Sequence, residues 1–344
     1  LKTESLSFKH IAKQFFSALN QNLREKYQGK NQNGFEETKI RYNKKIRFFN
    51  ELSETIYDLQ RNLATLRKAV SELLDIFNDI RADSFQFQDQ IHREFISFEM
   101  DIQNLSESFE FCINANDDHF VYWLELPSRK TSNDVNFNAV PLNVAELLKK
   151  TLYQQLNSAV FTSATLAVND SFSYYKDRVG LNLVTHVEVK SAILGSPFDY
   201  NNQLSLFILD FFDDPRNERF TEQLSNIIQE THRNHPKGML VLFTNYSVLN
   251  KLYSEMKSHF EMEKILLLAQ GKSGSRTNII NQFREFKNSI LFGTDSFWEG
   301  VDVKGGALSC VIIDKLPFAS PDEPLLQARI QSMREQGQNP FFDY

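Results

Sequence analysis

The chain has 344 residues, of which 41% are hydrophobic and 24% are charged, and its formal net charge is -6. This mixture excludes a disordered chain, and the length accommodates about two domains of ordinary size. The acidic balance excludes a globally basic nucleic-acid-binding protein, so any contact with DNA must come from a local groove.

The cysteine content and the hydropathy pattern exclude further classes of protein. Cys112 and Cys310 are too few for a disulfide framework or a four-thiolate metal cluster within this chain, and each falls in an apolar run that predicts a packed thiol. A reducing, cytoplasmic setting fits best. No apolar stretch is long enough to span a bilayer, and the first residues lack the pattern of a signal peptide. Because the chain starts at Leu1 rather than Met, we expect a piece of a longer product.

The first part of the chain is predicted to be helical. An amphipathic stretch at 8–19 predicts one helix. Over 52–80 the apolar residues recur in alternating steps of four and three, the seam of a helix packed lengthwise on another helix. The same steps return over 91–109, so we expect an antiparallel hairpin of two long helices. A coiled-coil module that binds a partner protein through the first seam is the alternative, and the return run would deprive it of a free seam.

After residue 117 the pattern changes to strands that alternate with helices. Residues 119–126 alternate and end at Pro127, as a strand does, and Asn143 is expected to cap a helix over 144–156. Buried strands are predicted at 158–166, 204–210, 238–245, 264–270, 289–295 and 308–316, with helices at 219–235 and 246–260. This alternation predicts an α/β fold with a parallel sheet, in which ligands bind at the carboxyl ends of strands.

Polar side chains follow three of the predicted strands. Hydroxyls and backbone N–H groups suit phosphate oxygens, and exposed aromatics such as Tyr246 or Trp298 suit unstacked bases. Each residue also has an ordinary interpretation, because Ser and Thr are common in turns and caps and aromatic rings commonly pack. The combination favours a phosphate or nucleic-acid site. The residues of the predicted site fall in three groups, one for each strand: Thr162, Ser163 and Thr165; Thr244, Asn245 and Tyr246; and Thr294, Asp295, Ser296, Trp298, Glu299 and Asp302.

Several segments, taken in order, resemble a known family. They are VFTSATL (160–166), SPFDYNNQ (196–203), VLFTNYSVL (241–249), QGKSGSR with a following IINQF (270–283), and ILFGTDSFWEGVDVKGGALSCVIIDKLPFASPDEPLLQAR (290–329). Together they resemble the DinG branch of the XPD-like superfamily-two DNA helicases, with the last block the most specific. The resemblance covers roughly 118–329, and the helical segment before it lies where that family inserts its Arch domain.

The resemblance implies a fold and a division of the chain. The fold is α/β, a RecA-like parallel-sheet helicase domain of the P-loop NTPase type with an N-terminal all-helical Arch-like insertion. Residues 1–117 would form the Arch-like domain and 118–195 the carboxy-terminal part of a first RecA-like domain. Residues 196–344 would form a second RecA-like domain.

The resemblance also implies an activity. It is that of an ATP-dependent helicase that binds single-stranded DNA and unwinds duplex DNA from 5′ to 3′, in DNA repair or replication, in the bacterial cytoplasm near the nucleoid. Coupling of nucleotide state to DNA contact is implied for Thr162, Ser163 and Thr165. Nucleic-acid contact is implied for Thr244, Asn245, Tyr246, Gly293, Thr294, Ser296 and Trp298. Contact with ATP is implied for Glu299, Gly300 and Asp302, whose two carboxylates are the catalytic candidates.

Sequence elements needed for ATP hydrolysis are absent from the chain. It contains neither a Gly-x-x-x-x-Gly-Lys-Ser/Thr loop nor an Asp-Glu-x-His motif, and the Gly271-Lys272-Ser273 segment has Leu266 where the loop needs its first glycine. The family's closing glycine and arginine motif is absent too. We therefore expect this chain alone to be inactive and to hold no metal. ATP and Mg²⁺ would serve a longer protein, whose iron–sulfur status stays open. A degenerate helicase fused to a nuclease is the alternative enzyme.

Overall fold

The computed structural model describes residues 1–27, 39–43, 47–80, 84, 86–126, 134–215, 217–303 and 305–340. They form two compact units. The first unit comprises Leu1–Gly195 and Ala319–Tyr344, and the second comprises Ser196–Phe318. The division into domains at 1–117, 118–195 and 196–344 stays a prediction. None of the described helices combines the length and the apolar composition needed to cross a bilayer.

The first unit opens with three long helices and a small sheet. Its elements, numbered along the whole chain, are α1 (Lys2–Tyr27), β1 (Lys39–Tyr42), α2 (Ser53–Asp79), α3 (Gln88–Asn114), β2 (Phe120–Glu125), β3 (Asn136–Pro141), α4 (Ala145–Leu148) and α5 (Ser173–Val179). Short 3₁₀ helices lie at Arg47–Leu52 and Leu181–Leu183.

Helix α2 packs against both α1 and α3. The ring of Phe77 lies 5.5 Å from that of Phe95, and Arg67 donates to Gln103 (2.9 Å), so α2 and α3 run antiparallel. The predicted first helix and the hairpin are confirmed. Six residues of α2 are buried, each at most 7% exposed, so most of the predicted seam offers no free surface to a coiled-coil interaction module. They are Ile56, Leu59, Leu63, Leu66, Val70 and Leu74, whereas Leu73, Phe77 and Ile80 of the predicted seam are only partly buried.

The small sheet of the first unit is antiparallel, in the order β1-β2-β3. The strand predicted at 119–126 is confirmed as β2, whereas β1 and β3 were not predicted. Tyr42 on β1 is buried, and its hydroxyl donates to the Cys112 carbonyl (2.8 Å). This hydrogen bond holds the strand against the helices. An aromatic-rich core including Phe15, Phe49 and Tyr122 fills the space between helices and sheet.

The helix predicted at 144–156 is shorter than expected. The Asn143 side chain accepts the N–H of Ala145 (2.9 Å), but the N-cap position of α4 is Val144, one residue later than predicted. Helix α4 continues as a π-helical turn over Lys149–Tyr153. Free thiols are present at Cys112, which is buried, and at Cys310, which is partly buried. The expectation of packed thiols therefore agrees with their positions.

The second unit contains the parallel sheet. Its elements are α6 (Tyr200–Gln203), α7 (Glu218–Asn234), β4 (Met239–Leu242), α8 (Tyr246–Met262), β5 (Leu267–Ala269), α9 (Arg276–Glu285), β6 (Ile290–Gly293), α10 (Asp295–Trp298), a 3₁₀ helix at Gly305–Ala307 and β7 (Cys310–Ile313). The strand order is β5-β6-β4-β7 and every pairing is parallel. The chain then returns to the first unit as α11 (Pro324–Glu335), which packs on β1 and β2.

Each face of the parallel sheet carries its own hydrophobic core. Val241 and Phe292 belong to the cluster that includes α7 and α8, whereas Leu240 and Leu291 belong to the cluster that includes α9. Alternate residues of one strand thus point to opposite helical layers. The α/β, RecA-like class is confirmed, and so are the strands predicted at 238–245, 264–270, 289–295 and 308–316 and the helices at 219–235 and 246–260.

Two strand predictions, at 158–166 and 204–210, are wrong. Both segments are irregular backbone, and their apolar side chains are exposed: Val160 is 90% and Ile208 is 82% exposed. An apolar run becomes a strand only when neighbouring strands satisfy its N–H and C=O groups. Within the described residues, neither segment pairs with a strand of either sheet.

Candidate nucleic-acid interface

The carboxyl ends of β4, β5, β6 and β7 lie along one edge of the parallel sheet. We call the residues that follow them the rim: 243–246, 270–276, 294–302 and 314–315. In a parallel sheet this edge is where ligands bind. The structure brings two of the three predicted polar groups, those after β4 and β6, to this rim.

The group after β4 begins α8. The side chain of Asn245 accepts the N–H of Ser247 (2.8 Å) and caps the helix. Tyr246 is 42% exposed, and its hydroxyl donates to the Gln270 carbonyl (2.7 Å). Gly271 has φ +74°, and a Cβ there would lie 2.1 Å from the Tyr246 hydroxyl oxygen. Glycine at 271 is therefore required both for the backbone conformation and for the anchored tyrosine.

Gln270 connects the end of β5 to the end of β6. Its Oε1 accepts the N–H of Thr294 (2.8 Å) and the Thr294 hydroxyl (3.0 Å). Thr294 is 4% exposed, so its hydroxyl is already engaged inside the protein. A role for Thr294 in contacting a phosphate stays a prediction. Gln270 was not among the predicted site residues, although it is the polar residue that ends a predicted strand.

The turn after β6 depends on a close approach. A Cβ on Gly293 would lie 2.5 Å from the Cβ of Phe297, a side chain that is almost fully buried, so glycine lets α10 fold back onto the strand. Trp298 is partly buried and its Nε1 donates to the Phe243 carbonyl (3.4 Å), which matches the packing interpretation of this ring. Ser296 is exposed.

Two arginines of α9 hold the segment that follows. Arg276 donates through Nε to the Ser296 carbonyl (3.1 Å) and through Nη2 to the carbonyls of Glu299 and Gly300 (3.0 Å each). Its guanidinium also lies over the Phe297 ring, 5.5 Å from the centroid. Arg284 donates to the Asp302 carbonyl. Both arginines were missed as site residues because their partners are backbone groups far along the chain.

The arginine contacts leave the predicted nucleotide-facing carboxylates in solvent. Glu299 and Asp302 have exposed side chains, and within the described residues neither carboxylate makes a hydrogen bond or an ion pair. Gly300 between them has φ +67°. The arrangement therefore presents two carboxylates on a loop whose main chain is fixed. In the described part of the chain, no group of three or more His, Cys, Asp or Glu residues could hold a metal ion.

Asp314, which follows β7, is a partly buried acid of the rim. Its Oδ1 accepts the N–H of Thr244 (3.1 Å), while Oδ2 is buried without a hydrogen bond to the described residues. Burial raises the pKa of this carboxyl group above its ordinary value. Asp314 thus ties the end of β7 to the end of β4. Sequence reasoning missed it, although an acid within the apolar run predicted as a strand at 308–316 was a usable signal.

The group predicted to follow strand 158–166 belongs to the first unit. Thr162, Ser163 and Thr165 are exposed on irregular backbone, where the Ser163 hydroxyl accepts the N–H of Thr165 (3.3 Å). This is a local side-chain turn rather than a strand end. The expected contiguous surface of three strand ends is therefore a surface of β4 to β7, and the coupling role of these three residues stays a prediction.

Comparison with known proteins identifies relatives of this chain. Residues 228–344 match the family model of the helicase C-terminal domain. The chain is 33% identical over 244 residues to the 3′-5′ exonuclease DinG of Bacillus subtilis, which covers 70% of this chain and 26% of that protein. It is 35% identical over 226 residues to the ATP-dependent DNA helicase YoaA of Escherichia coli, covering 66% and 34%, and 35% over 260 residues to YoaA of Haemophilus influenzae, covering 75% and 37%.

The matched regions thus span between 26% and 37% of the length of these relatives. Sequence identity extends beyond the helicase C-terminal domain, because the aligned lengths of 226 to 260 residues exceed that domain. The chain is therefore DinG-like over most of its length and carries a helicase C-terminal domain at residues 228–344.

Proposed function

We propose that this chain is the part of an ATP-dependent DNA helicase that binds single-stranded DNA at the rim. The observation that carries the proposal is that hydrogen bonds join the four strand ends in two sets, Asp314 with Thr244 and Gln270 with Tyr246 and Thr294, and the short backbone segment 244–246 connects the sets. A surface fixed in this way loses little conformational entropy when a ligand binds. The relatives named as ATP-dependent DNA helicases support the same function.

Tyr246 is the base-stacking residue in this proposal. Its hydroxyl is anchored on Gln270 while 42% of the side chain is exposed, so the ring is held in place with surface available to a base. Stacking on an aromatic side chain contributes about 1–3 kcal/mol per base and tolerates any sequence. Asn245, Ser296 and the backbone after Gly293 would contact neighbouring phosphates or sugars.

ATP would bind beside the exposed loop that contains Glu299, Gly300 and Asp302. Hydrolysis of ATP, with Mg²⁺ on its phosphates, supplies the free energy of translocation in such motors. The two carboxylates of this chain would hold the water or ribose that faces them, and Arg276 would keep their backbone in place. Thr162, Ser163 and Thr165 would pass the nucleotide state to the DNA contacts. The complete protein would unwind duplex DNA from 5′ to 3′ during DNA repair or replication, near the bacterial nucleoid.

The test is the binding of a fluorescein-labelled oligothymidylate to this chain by fluorescence anisotropy. We expect binding that weakens as the salt concentration rises, because phosphate contacts release counterions. Tyr246→Ala should weaken binding at least about fivefold. Tyr57→Ala removes another exposed tyrosine, 63% exposed on α2, and serves as the matched control. Absence of salt-dependent binding by the unaltered chain would refute the proposal.

The rate of ATP hydrolysis is expected to differ between this chain and the complete protein. The chain alone should hydrolyse ATP no faster than a blank, since its sequence lacks the phosphate-binding loop. In the complete protein, Glu299→Ala should abolish ATP hydrolysis while leaving binding of the single strand intact.

A second candidate follows from the name of the Bacillus subtilis relative, which is an exonuclease. The same rim would then present a DNA strand to a nuclease domain elsewhere in a longer protein. Degradation of a labelled strand by that protein without ATP would favour this candidate. Duplex separation that requires ATP would favour the helicase.

A further inference from the structure

The amide of Gln270 has a fixed orientation at the rim. A backbone N–H can only donate, so the atom that faces Thr294 N at 2.8 Å must be the amide oxygen. The Thr294 hydroxyl reaches the same oxygen at 3.0 Å. The backbone of Gln270 is held as well, because its N–H donates to the Phe292 carbonyl (3.0 Å) and its carbonyl accepts from Tyr246.

The fixed oxygen leaves the amide nitrogen of Gln270 with two N–H donors to place. Within the described part of the chain, Nε2 makes no hydrogen bond. Nε2 is nevertheless absent from the buried polar atoms that lack a partner, and the side chain is partly exposed, so the nitrogen reaches solvent. A pair of donors, oriented and without an internal partner, therefore lies on the rim.

We propose that Nε2 of Gln270 donates to a backbone phosphate oxygen of single-stranded nucleic acid, beside the base that stacks on Tyr246. This inference rests on the proposed function and adds a binding residue to it. A phosphate oxygen only accepts hydrogen bonds, which matches a group that can only donate. The exposed ammonium of Lys272 is two residues away, and Gly271 between them has no side chain to block the approach.

Gln270→Glu is the informative substitution. A glutamate of the same length keeps an acceptor for both groups of Thr294, but it replaces the two N–H donors with an oxygen that repels phosphate. Asn288→Asp is the matched control, because it makes the same change of amide to carboxylate in an exposed turn just before β6, at the opposite end of that strand. Both variants lower the net charge equally, so nonspecific repulsion of DNA affects them alike.

The experiment measures the affinity of each variant for labelled oligothymidylate, with thermal unfolding as the check on folding. We expect Gln270→Glu to bind about tenfold or more weakly and Asn288→Asp to bind within about twofold of the unaltered chain. Gln270→Ala adds a second variant that introduces no charge. It should weaken binding without changing the salt dependence, since a neutral donor releases no counterion, whereas Lys272→Ala should reduce the slope by about one.

The outcomes are distinct. Equal affinities for Gln270→Glu and Asn288→Asp, with strong binding by the unaltered chain, would overturn the inference and leave the proposed function standing. If Gln270→Glu loses binding to a fluorescent ATP analogue while its oligothymidylate binding is unchanged, the inference is overturned as well. The two N–H donors would then be assigned to a nucleotide. No oligothymidylate binding by the unaltered chain would overturn the proposed function and this inference together.

Discussion

Strand β6 and the segment at 206–209 are both short apolar runs in the second unit, but their surroundings are opposite. Ile290, Leu291 and Phe292 are fully buried between two helical layers, whereas Leu206 is 79% and Phe207 is 80% exposed. Strand β6 has β4 on one side and β5 on the other. The segment at 206–209 pairs with no strand among the described residues. Burial in this chain therefore depends on paired edges and not on hydrophobicity alone.

The largest effect on the free energy of unfolding is expected when one phenylalanine is removed from each region. Phe292→Ala should lower the free energy of unfolding by about 4 kcal/mol, because it leaves a cavity in the core. Phe207→Ala should change it by less than about 0.5 kcal/mol, as exposed substitutions do. Urea denaturation of both variants measures the difference. Similar losses would show that 206–209 is buried in solution, and the contrast between the regions would disappear.

A second test asks how tightly the buried region is packed. A Cβ on Gly238, just before β4, would lie 1.7 Å from the Ala307 carbonyl oxygen, which is backbone and cannot rotate away. Gly238→Ala should therefore destabilise the second unit by about 2–3 kcal/mol. Gly306→Ala is the matched control, since a Cβ there meets nothing within 4 Å. If both variants unfold at the same urea concentration, the contact between β4 and the 3₁₀ helix is absent in solution.

A third test addresses the loop that Arg276 holds at the rim. Arg276→Ala removes three hydrogen bonds to carbonyls, and we expect a loss of about 1.5 kcal/mol in the free energy of unfolding. Arg219→Ala, an exposed arginine on α7, should cost less than about 0.5 kcal/mol. Thermal denaturation compares the two. An equal effect would mean that the guanidinium does not engage the loop.

The smallest effect is expected in the pH dependence that Asp314 contributes. Its pKa is raised by burial, so the folded state binds the proton more tightly than the unfolded state does. The resulting stabilisation is complete below the ordinary aspartate pKa and is lost as the pH rises through the raised value. Unfolding free energies measured upward from pH about 4 should fall for the unaltered chain relative to Asp314→Asn. Asp210→Asn, which removes an exposed aspartate, is the control for the change of charge.

Sequence pattern was sufficient where the structure pairs a predicted strand with its neighbours. The run at 238–245 became β4 because β6 and β7 pair with its two edges. The run at 204–210 is also rich in apolar residues but has no such neighbours among the described residues, and the pattern within a segment does not indicate which strand pairs with it. Strands β1 and β3 were missed for the opposite reason. Their sequences, KIRY and NFNAVP, are short and contain charged, Asn or Pro residues, and they become strands through pairing with β2.

The candidate site likewise contains residues that sequence reasoning identified and residues that it missed. The rule that ligands bind after parallel strands identified Thr244, Tyr246 and Thr294, which the structure places on one rim. The same rule applied to β5 and β7 would have identified Gln270 and Asp314. No local signal identifies Arg276, because its role consists of bonds to three carbonyls at least twenty residues away. Residues that act on distant backbone become visible only in the folded chain.

The two free thiols have a practical consequence. Cys112 lies in the first unit and Cys310 on β7 in the second, and burial raises the pKa of both. Alkylating reagents attack the thiolate, so each cysteine should react slowly until its surroundings open. With one cysteine thiol in each unit, mass spectrometry after a pulse of iodoacetamide would report the opening of either unit separately. The native sequence thus supplies its own pair of chemical reporters.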